Sequence, residues 1–416
     1  MAYNLVDMIW IGKAGSAAVA AIGTAGFFSW FGNSLVLITK TGAEVGVSQS
    51  IGKNDECERN SYIYSSITLA LIMAIVYTVI LILFKKELIG FFNLGDVEII
   101  KMSLDYLIII ALGMICAFLN PQFTGIFTAS GNSKTPFIVN TIGLIVNIVL
   151  DPILIFGFNM GIQGAAFATV ISQAVTALWG ISYYLRGKSN LKFRKSSLKL
   201  NKDIIKAICA IGSAPFAMQI AASCVQIICN NSLKTYGGDL AIGAMATINS
   251  VIMMVGMPIV GISQGAQPII GFNYGAKKYD RAHKALKICA TAATIGLSIG
   301  WLLVQLVPGP IVSMFNSDAE LVSISVDGIR KYLSMMPLIG VSMIGSNYFQ
   351  AIGKAKHAMV LSLLRQVILL VPMMLILPRI LGLNGVWFAQ PIADLISFVV
   401  TAVLLVKEVK SDKIET

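Results

Sequence analysis

Long apolar runs are the feature of this sequence that most restricts its fold. Residues 62–84, 136–158, 285–307 and 385–406 each exceed the roughly 18 residues that mark a membrane-spanning helix. Only 12% of the 416 residues are charged, against about 25% in soluble domains. The run lengths and the low charge together predict an all-α integral membrane protein.

Twelve segments are predicted when the chain is divided at its charged loops. The first, residues 1–12, extends about 18 Å at 1.5 Å per residue, which is short of the hydrocarbon thickness of about 30 Å. We therefore expect that this segment lacks its cytoplasmic half. The eleven others are long enough to cross a membrane, and they comprise residues 17–49, 61–84, 97–129, 136–158, 162–184, 204–234, 240–273, 285–307, 320–351, 358–381 and 385–406.

Three motifs occur twice, at nearly the same spacing. The pattern Gly-Ala followed by a second glycine ten residues after the first, at 42–52, recurs at 265–275. Phe-x-Ala-x-Gly-x-x-Lys at 127–134 recurs at 349–356, and Gly-x-x-Gly-x-x-Phe-Ala at 161–168 recurs at 382–389. Matched halves in a very apolar chain are typical of transporters, so we predict two bundles of six helices each.

The positions of the basic residues predict the orientation. Most of the 31 Lys and Arg residues lie in loops after the even-numbered segments and in the C-terminal tail. The positive-inside rule places these regions in the cytoplasm. Six segments per half give both halves the same orientation in the membrane. A pseudo-two-fold axis along the membrane normal is therefore expected to relate them. The predicted domains are an N-terminal lobe of residues 1–187, a basic cytoplasmic linker of 188–203, a C-terminal lobe of 204–408 and a cytoplasmic tail of 409–416.

Several classes of protein are disfavoured. The net charge of +11 could indicate a nucleic-acid partner, but the basic stretch 186–206 has no stacking pattern of aromatic residues, so contact with anionic lipid is expected instead. The sequence has no phosphate-binding loop, and its six cysteines and two histidines are scattered. We therefore expect no enzyme activity and no cofactor. An energised process must draw on an ion gradient.

Acidic residues inside the apolar segments are the candidates for chemistry. Asp7, Asp151 and Asp394 lie well inside predicted segments, where a charge costs about 2.5–3.5 kcal/mol on insertion scales. Asp7 and Asp151 are expected at similar depth in the outer half of the N-terminal lobe, with Asn147 one turn from Asp151. Such a pair could carry a proton, or hold sodium together with amide and hydroxyl oxygens. The alternative is a buried aspartate that only satisfies helix packing.

Four segments carry a resemblance to a known family. Residues 264–276 (Gln-Gly-Ala-Gln-Pro-Ile-Ile-Gly-Phe-Asn-Tyr-Gly-Ala), 3–7, 127–134 and the Asn-x-x-x-Asp-Pro motif at 147–152 resemble the multidrug and toxic compound extrusion (MATE) family. The resemblance implies two six-helix bundles forming a V-shaped cleft. It also implies cation-coupled export of organic cations by alternating access.

The resemblance also assigns site residues. The family's N-lobe cation site, for a proton or sodium, maps onto Asp7, Asn147, Asp151 and Thr169, with Tyr3 and Asn120 nearby. One branch of the family carries further acidic residues in the C-terminal lobe, and this chain departs from that pattern, because residues 204–234 contain no carboxylate in their apolar core. For Asn147 and Thr169, a role in helix packing remains the alternative.

A substrate cleft is predicted separately. Met253 and Met257 could line an adaptable cavity, and ordinary core packing is the alternative. Asp394 could face substrate or pair with Arg365, because both lie near mid-membrane. The predicted substrate-facing residues are Gln219, Met253, Met257, Gln264, Gln267 and Asp394.

The prediction is a secondary active multidrug efflux antiporter that exchanges small organic cations for protons or sodium. It is expected to act as a monomer in the bilayer of a bacterial cytoplasmic membrane, without nucleic acid. Three alternatives remain. One is a lipid-linked precursor flippase of the same superfamily, and another is an inactive truncated or scaffold chain. The third is a major-facilitator-type symporter, whose Gly-x-x-x-Asp-Arg loop is absent at residues 52–56.

Overall fold

The computed structural model describes residues 10–11, 16–185, 201–315 and 318–412, and these residues form helices and turns without a β-strand. The first half contains α1 (Ser16–Gly52), α2 (Glu56–Leu83), α3 (Lys85–Gly90), α4 (Val97–Ala129), α5 (Lys134–Pro152) and α6 (Gly161–Leu185). The second half contains α7 (Lys202–Gly275), α8 (Tyr279–Leu306), α9 (Pro308–Ser313), α10 (Ala319–Tyr332), α11 (Met336–Ala351), α12 (Ala355–Leu363), α13 (Val371–Leu381) and α14 (Leu383–Asp412). Two π-helical turns, π1 (Ile153–Gly157) and π2 (Leu364–Leu370), follow α5 and α12.

The chain divides into two compact units. One comprises Met1–Val47 and Asp55–Gly212, and the other comprises Ser48–Asn54 and Ser213–Thr416. Helices α1 and α7 therefore contribute residues to both units. The predicted basic linker at 188–203 lies almost entirely outside the described residues.

Several helices of the two halves match in length or position. Helices α2 and α8 both have 28 residues, and α3 and α9 both have six. Helix α4 and the combined span of α10 and α11 begin and end at the same relative positions in their halves. The sequence motifs therefore mark a duplication of the whole helical arrangement.

Membrane-spanning character is also evident. Eight of the described helical stretches are long and apolar enough to cross a membrane. Large apolar side chains such as Phe137 and Ile295 face outward, whereas Phe118 in the first unit and Trp387 in the second are fully buried. This inside-and-outside distribution of apolar residues is what a multi-pass membrane protein requires.

Two predicted segments are interrupted in the structure, residues 320–351 by a break and residues 358–381 by π2. Residues 320–351 were expected to form one continuous helix, but the backbone leaves helical geometry between Tyr332 and Met336. Pro337 explains the break, because its ring cannot pack against the carbonyl of Leu333, four residues earlier, in a regular helix. The short helices α3 and α9 were not predicted.

Several helix boundaries have a backbone with a positive φ and carry glycine. Gly238, with φ of 67°, interrupts α7 between the predicted segments 204–234 and 240–273. Gly131 and Gly353 both have φ of 82° and follow α4 and α11. Only glycine adopts this conformation without steric cost, which explains why the Phe-x-Ala-x-Gly motif appears in both halves.

Within the second unit, the end of α1 packs closely against the end of α7. A Cβ atom on Gly52 would lie 2.1 Å from the carbonyl oxygen of Phe272, and one on Gly275 would lie 2.2 Å from that of Gln49. Gly52 and Gly275 occupy equivalent positions of the repeat, so the contact is reciprocal. The side-chain amide of Gln49 also donates to the carbonyl of Ala351 at 2.7 Å.

Candidate functional site

Asp151 and Asn147 form the buried polar centre of the first unit. Both side chains have 0% exposure, and Asn147 Nδ2 donates to Asp151 Oδ1 at 3.3 Å. The two residues share a face of α5 because they are one helical turn apart. Pro152 ends the helix immediately afterwards, and π1 begins at Ile153. Such widened turns occur frequently at functional sites.

The described end of the first predicted segment lies beside π1. The ring of Trp10 contacts that of Phe156 edge-on, with centroids 6.2 Å apart. Ile11 is buried in a cluster with Ile155 and Ala165. Chain positions soon after Asp7 therefore pack against chain positions soon after Asp151.

The remaining N-lobe residues are only partly brought together. Asp7 and Tyr3 lie outside the described residues, so their place in the site stays a prediction. Thr169 is half-buried on α6, and its carbonyl accepts a hydrogen bond from Ser172. Asn120 donates to Asn140 at 3.4 Å, which links α4 to α5.

A second polar network lies in the C-terminal unit. The Arg365 guanidinium is 3.7 Å from Asp394, so the pairing considered from the sequence is present. Gln390 Nε2 donates to Asp394 Oδ1 at 2.9 Å, and Gln390 Oε1 accepts from the Tyr332 hydroxyl at 3.2 Å. Asp394 is only 2% exposed, whereas the Arg365 side chain is 26% exposed.

Arg365 lines two cavities within this unit. The larger has a volume of about 370 Å³ and includes Tyr332, Gln366 and Gln390 in its wall. The smaller has a volume of about 120 Å³ and is rich in serine, including Ser342 and Ser362. The guanidinium therefore borders two cavities of the same unit.

The predicted substrate residues do not line these two cavities. Met253, Met257 and Gln264 are exposed on α7, whereas Gln267 is buried and Gln219 is half-buried. A separate groove of about 640 Å³ in the first unit runs along α5 and α6, with Thr135 and Trp179 in its wall.

Sequence reasoning missed Gln390, Tyr332, Gln366 and Asn249. The repeat held a signal for Gln390, because it follows the second Gly-x-x-Gly-x-x-Phe-Ala motif as Thr169 follows the first. The buried hydrogen bond from Gln122 to the Thr39 hydroxyl, which joins α4 to α1, was also missed.

Comparison with known proteins identifies the family. The sequence model of the MatE family matches residues 1–153 and 215–376, which is most of the chain. This chain belongs to the MatE family. MatE proteins are transporters, so the chain is a multi-pass membrane transporter and not an enzyme.

Named relatives are multidrug proteins of bacteria. The multidrug export protein MepA of Staphylococcus haemolyticus (strain JCSC1435) is 26% identical over 355 residues, which cover 84% of this chain and 76% of MepA. The probable multidrug resistance protein YoeA of Bacillus subtilis (strain 168) is 27% identical over 409 residues, which cover 95% of this chain and 87% of YoeA.

Solved structures share the fold. A crystal structure of MATE in the bent conformation aligns with a TM-score of 0.94 at 22% identity, covering 99% of this chain and 92% of that chain. A ligand-bound structure of the MATE multidrug transporter DinF-BH aligns with a TM-score of 0.88 at 33% identity, covering 98% of this chain and 92% of that chain.

Proposed function

We propose that this MatE protein exports small organic cations from a bacterial cell in exchange for protons or sodium. The relatives named for multidrug export support the substrate class. A chain without a phosphate-binding loop fits transport driven by an ion gradient.

The observation that carries the coupling scheme is the fully buried Asp151–Asn147 pair beside π1. A carboxylate buried this completely favours the binding of a proton or a cation, because a charge inside a membrane protein is costly to hold. Asp7 lies three positions before Trp10 in the sequence, and Trp10 contacts Phe156 of π1. This closeness along the chain supports the proposal of a shared site for the two carboxylates.

Cation binding acts on the packing of the first segment. A proton or a sodium ion removes one unit of negative charge from the pair Asp7 and Asp151, and this change alters the bend or packing of the first segment. The ion shifts the transport cycle only by its difference in affinity for the two states. Carboxylate, amide and hydroxyl oxygens are hard ligands that suit sodium, and protonation of Asp151 serves the same purpose for a proton.

The proposed topology has twelve segments in the cytoplasmic membrane with the C-terminus inside the cell. The matched helices of the two halves support a pseudo-two-fold axis along the membrane normal. The reciprocal contacts of Gly52 and Gly275 support it as well, because equivalent residues meet each other's helix. A single chain in the bilayer is proposed as the working unit.

The test uses the full chain in proteoliposomes with ethidium as the transported cation. We expect an imposed proton or sodium gradient to drive ethidium movement, and we expect Asp151→Asn to abolish it. Asp105→Asn is the matched control, because Asp105 is a half-buried carboxylate on α4 whose partner is Gln163 at 3.0 Å. Gradient-driven transport at the wild-type rate by Asp151→Asn would contradict the proposal.

A further inference from the structure

We propose that the 370 Å³ cavity of the C-terminal unit binds an amphipathic organic acid, with the ligand's carboxylate on Arg365. This inference goes beyond cation export, because it adds an anionic class of ligand and a second binding site. It does not rest on ion coupling at Asp151.

The Arg365 guanidinium has N–H donors that are available to a ligand. A guanidinium carries five N–H donors, and the Arg365 side chain makes no hydrogen bond within the part of the chain that the structure describes. Its distance to Asp394, 3.7 Å, exceeds the roughly 2.7–2.9 Å of a charge-assisted hydrogen bond. The side chain is also 26% exposed and borders both cavities. A ligand carboxylate can therefore form the two parallel hydrogen bonds that arginine favours.

Asp394 does not compete for a ligand in the same way. Its side chain is 2% exposed, and Oδ1 is held by the amide of Gln390, which is itself held by Tyr332. The Asp394 carboxylate is therefore covered, whereas the Arg365 guanidinium remains accessible. The Arg365 guanidinium borders the cavity and the Asp394 carboxylate does not, which favours an anionic ligand group over a cationic one.

The cavity wall suits an apolar body. The wall includes Ile252, Met336 and Ile339, together with the side-chain amides of Asn249 and Gln366. The volume lies in the range of roughly 300–1,000 Å³ that is usual for small-molecule sites. A ligand with a ring system and one carboxylate matches this division into apolar and donor-rich surface.

The π2 turn explains why several of these groups share one wall. Arg365, Gln366 and Leu370 all border the cavity and all belong to π2. A π-helix closes its hydrogen bonds from i to i+5, so residues five apart lie near one face, unlike in an α-helix. The widened turn therefore supports the placement of the arginine.

Binding of 1-naphthaleneacetate tests the proposal directly, with 1-naphthaleneacetamide as the uncharged probe of nearly the same shape. Isothermal titration uses the full chain in nanodiscs, and empty nanodiscs correct for partition into lipid. We expect the acid to bind wild-type protein at least about tenfold more tightly than the amide, as a charge-assisted contact provides. Equal binding of the two probes, or binding of neither, would overturn the proposal.

Variants test whether Arg365 causes the preference for the acid over the amide. Arg365→Gln is expected to reduce acid binding to the level of the amide, with little change for the amide. Arg379→Gln is the matched control, because Arg379 is an exposed arginine on α13 outside the cavity. Retention of the acid preference in Arg365→Gln would refute the assignment.

A second variant guards against misfolding. Arg365→Gln alone leaves Asp394 buried beside no cation, which can destabilise the unit. The double variant Arg365→Gln/Asp394→Asn removes both charges, and we expect it to melt near the wild-type temperature and to bind acid and amide equally. A double variant that is folded and still prefers the acid would overturn the proposal. No ion gradient is used, so failure here is distinct from failure of cation export.

Discussion

The close contact of α1 with α7 makes Gly52→Ala a sharp test of helix packing. The added Cβ would lie 2.1 Å from the carbonyl oxygen of Phe272, and separations under 3.0 Å do not occur in real proteins. The helices would therefore have to separate by about 0.9 Å, and a gap of that size forfeits a quarter to a half of the dispersion energy of each contact across it. Backbone atoms cannot rotate away as a side chain can.

We expect Gly52→Ala to lower the free energy of unfolding by about 1–3 kcal/mol, the usual cost of overpacking. Gly275→Ala should cost a similar amount, because its Cβ meets Gln49 at 2.2 Å. The double variant should cost less than the sum, since one separation of the helices relieves both clashes.

The assay is reversible unfolding of the purified chain in mixed detergent micelles. Gly26→Ala on α1 is the control, because a Cβ there has nothing within 4 Å, and alanine is the better helix former by up to about 1 kcal/mol. Wild-type stability in both single variants, or strict additivity in the double variant, would refute the packing argument.

Three further stability predictions use the same unfolding measurement. Gly131→Ala should lower the free energy of unfolding by about 1–2 kcal/mol, because φ is 82° at this position and a side chain strains the backbone there. Gly131→Asn should lower it by less, because asparagine tolerates the left-handed conformation better than alanine does, and equal losses would contradict this reasoning. Lys354→Met should cost about 1–2 kcal/mol, because it removes the partner 2.6 Å from buried Glu408, and no loss of stability would show that the pair is not needed. Tyr77→Phe should cost about 1 kcal/mol, because the hydroxyl donates to the Phe28 carbonyl at 2.6 Å; an unchanged free energy of unfolding would argue against that bond.

Much of the helical layout was predictable because membrane helices are marked by composition. The segments 97–129 and 162–184 match α4 and α6 to within a residue, and glycine and polar residues near 238 marked the interruption of α7. The break before Met336 was missed, although Pro337 was visible, because the apolar run continues through it. The six-residue α3 and α9 are too short to leave a periodic pattern.

The site residues were predictable from the sequence only where the interacting residues are close together in the chain or carry a charge in an apolar segment. Asn147 and Asp151 are one turn apart, so their spacing alone placed them on one face. Pairing of Arg365 with Asp394 was one of two alternatives for Asp394, because both are charges near mid-membrane, and the structure contains this pair. Tyr332 joins Gln390 across 58 residues of chain, and no local pattern reveals a contact of that kind.

A π-helical turn lies beside or around a charged residue in each half of the duplicated chain. In the first half the fully buried Asp151 comes just before π1, whereas in the second half the partly exposed Arg365 lies inside π2. The two residues do not occupy equivalent positions of the repeat. A chimera made of two first halves would therefore lack Arg365 and its pairing with Asp394, and one made of two second halves would lack Asp151 and Asn147.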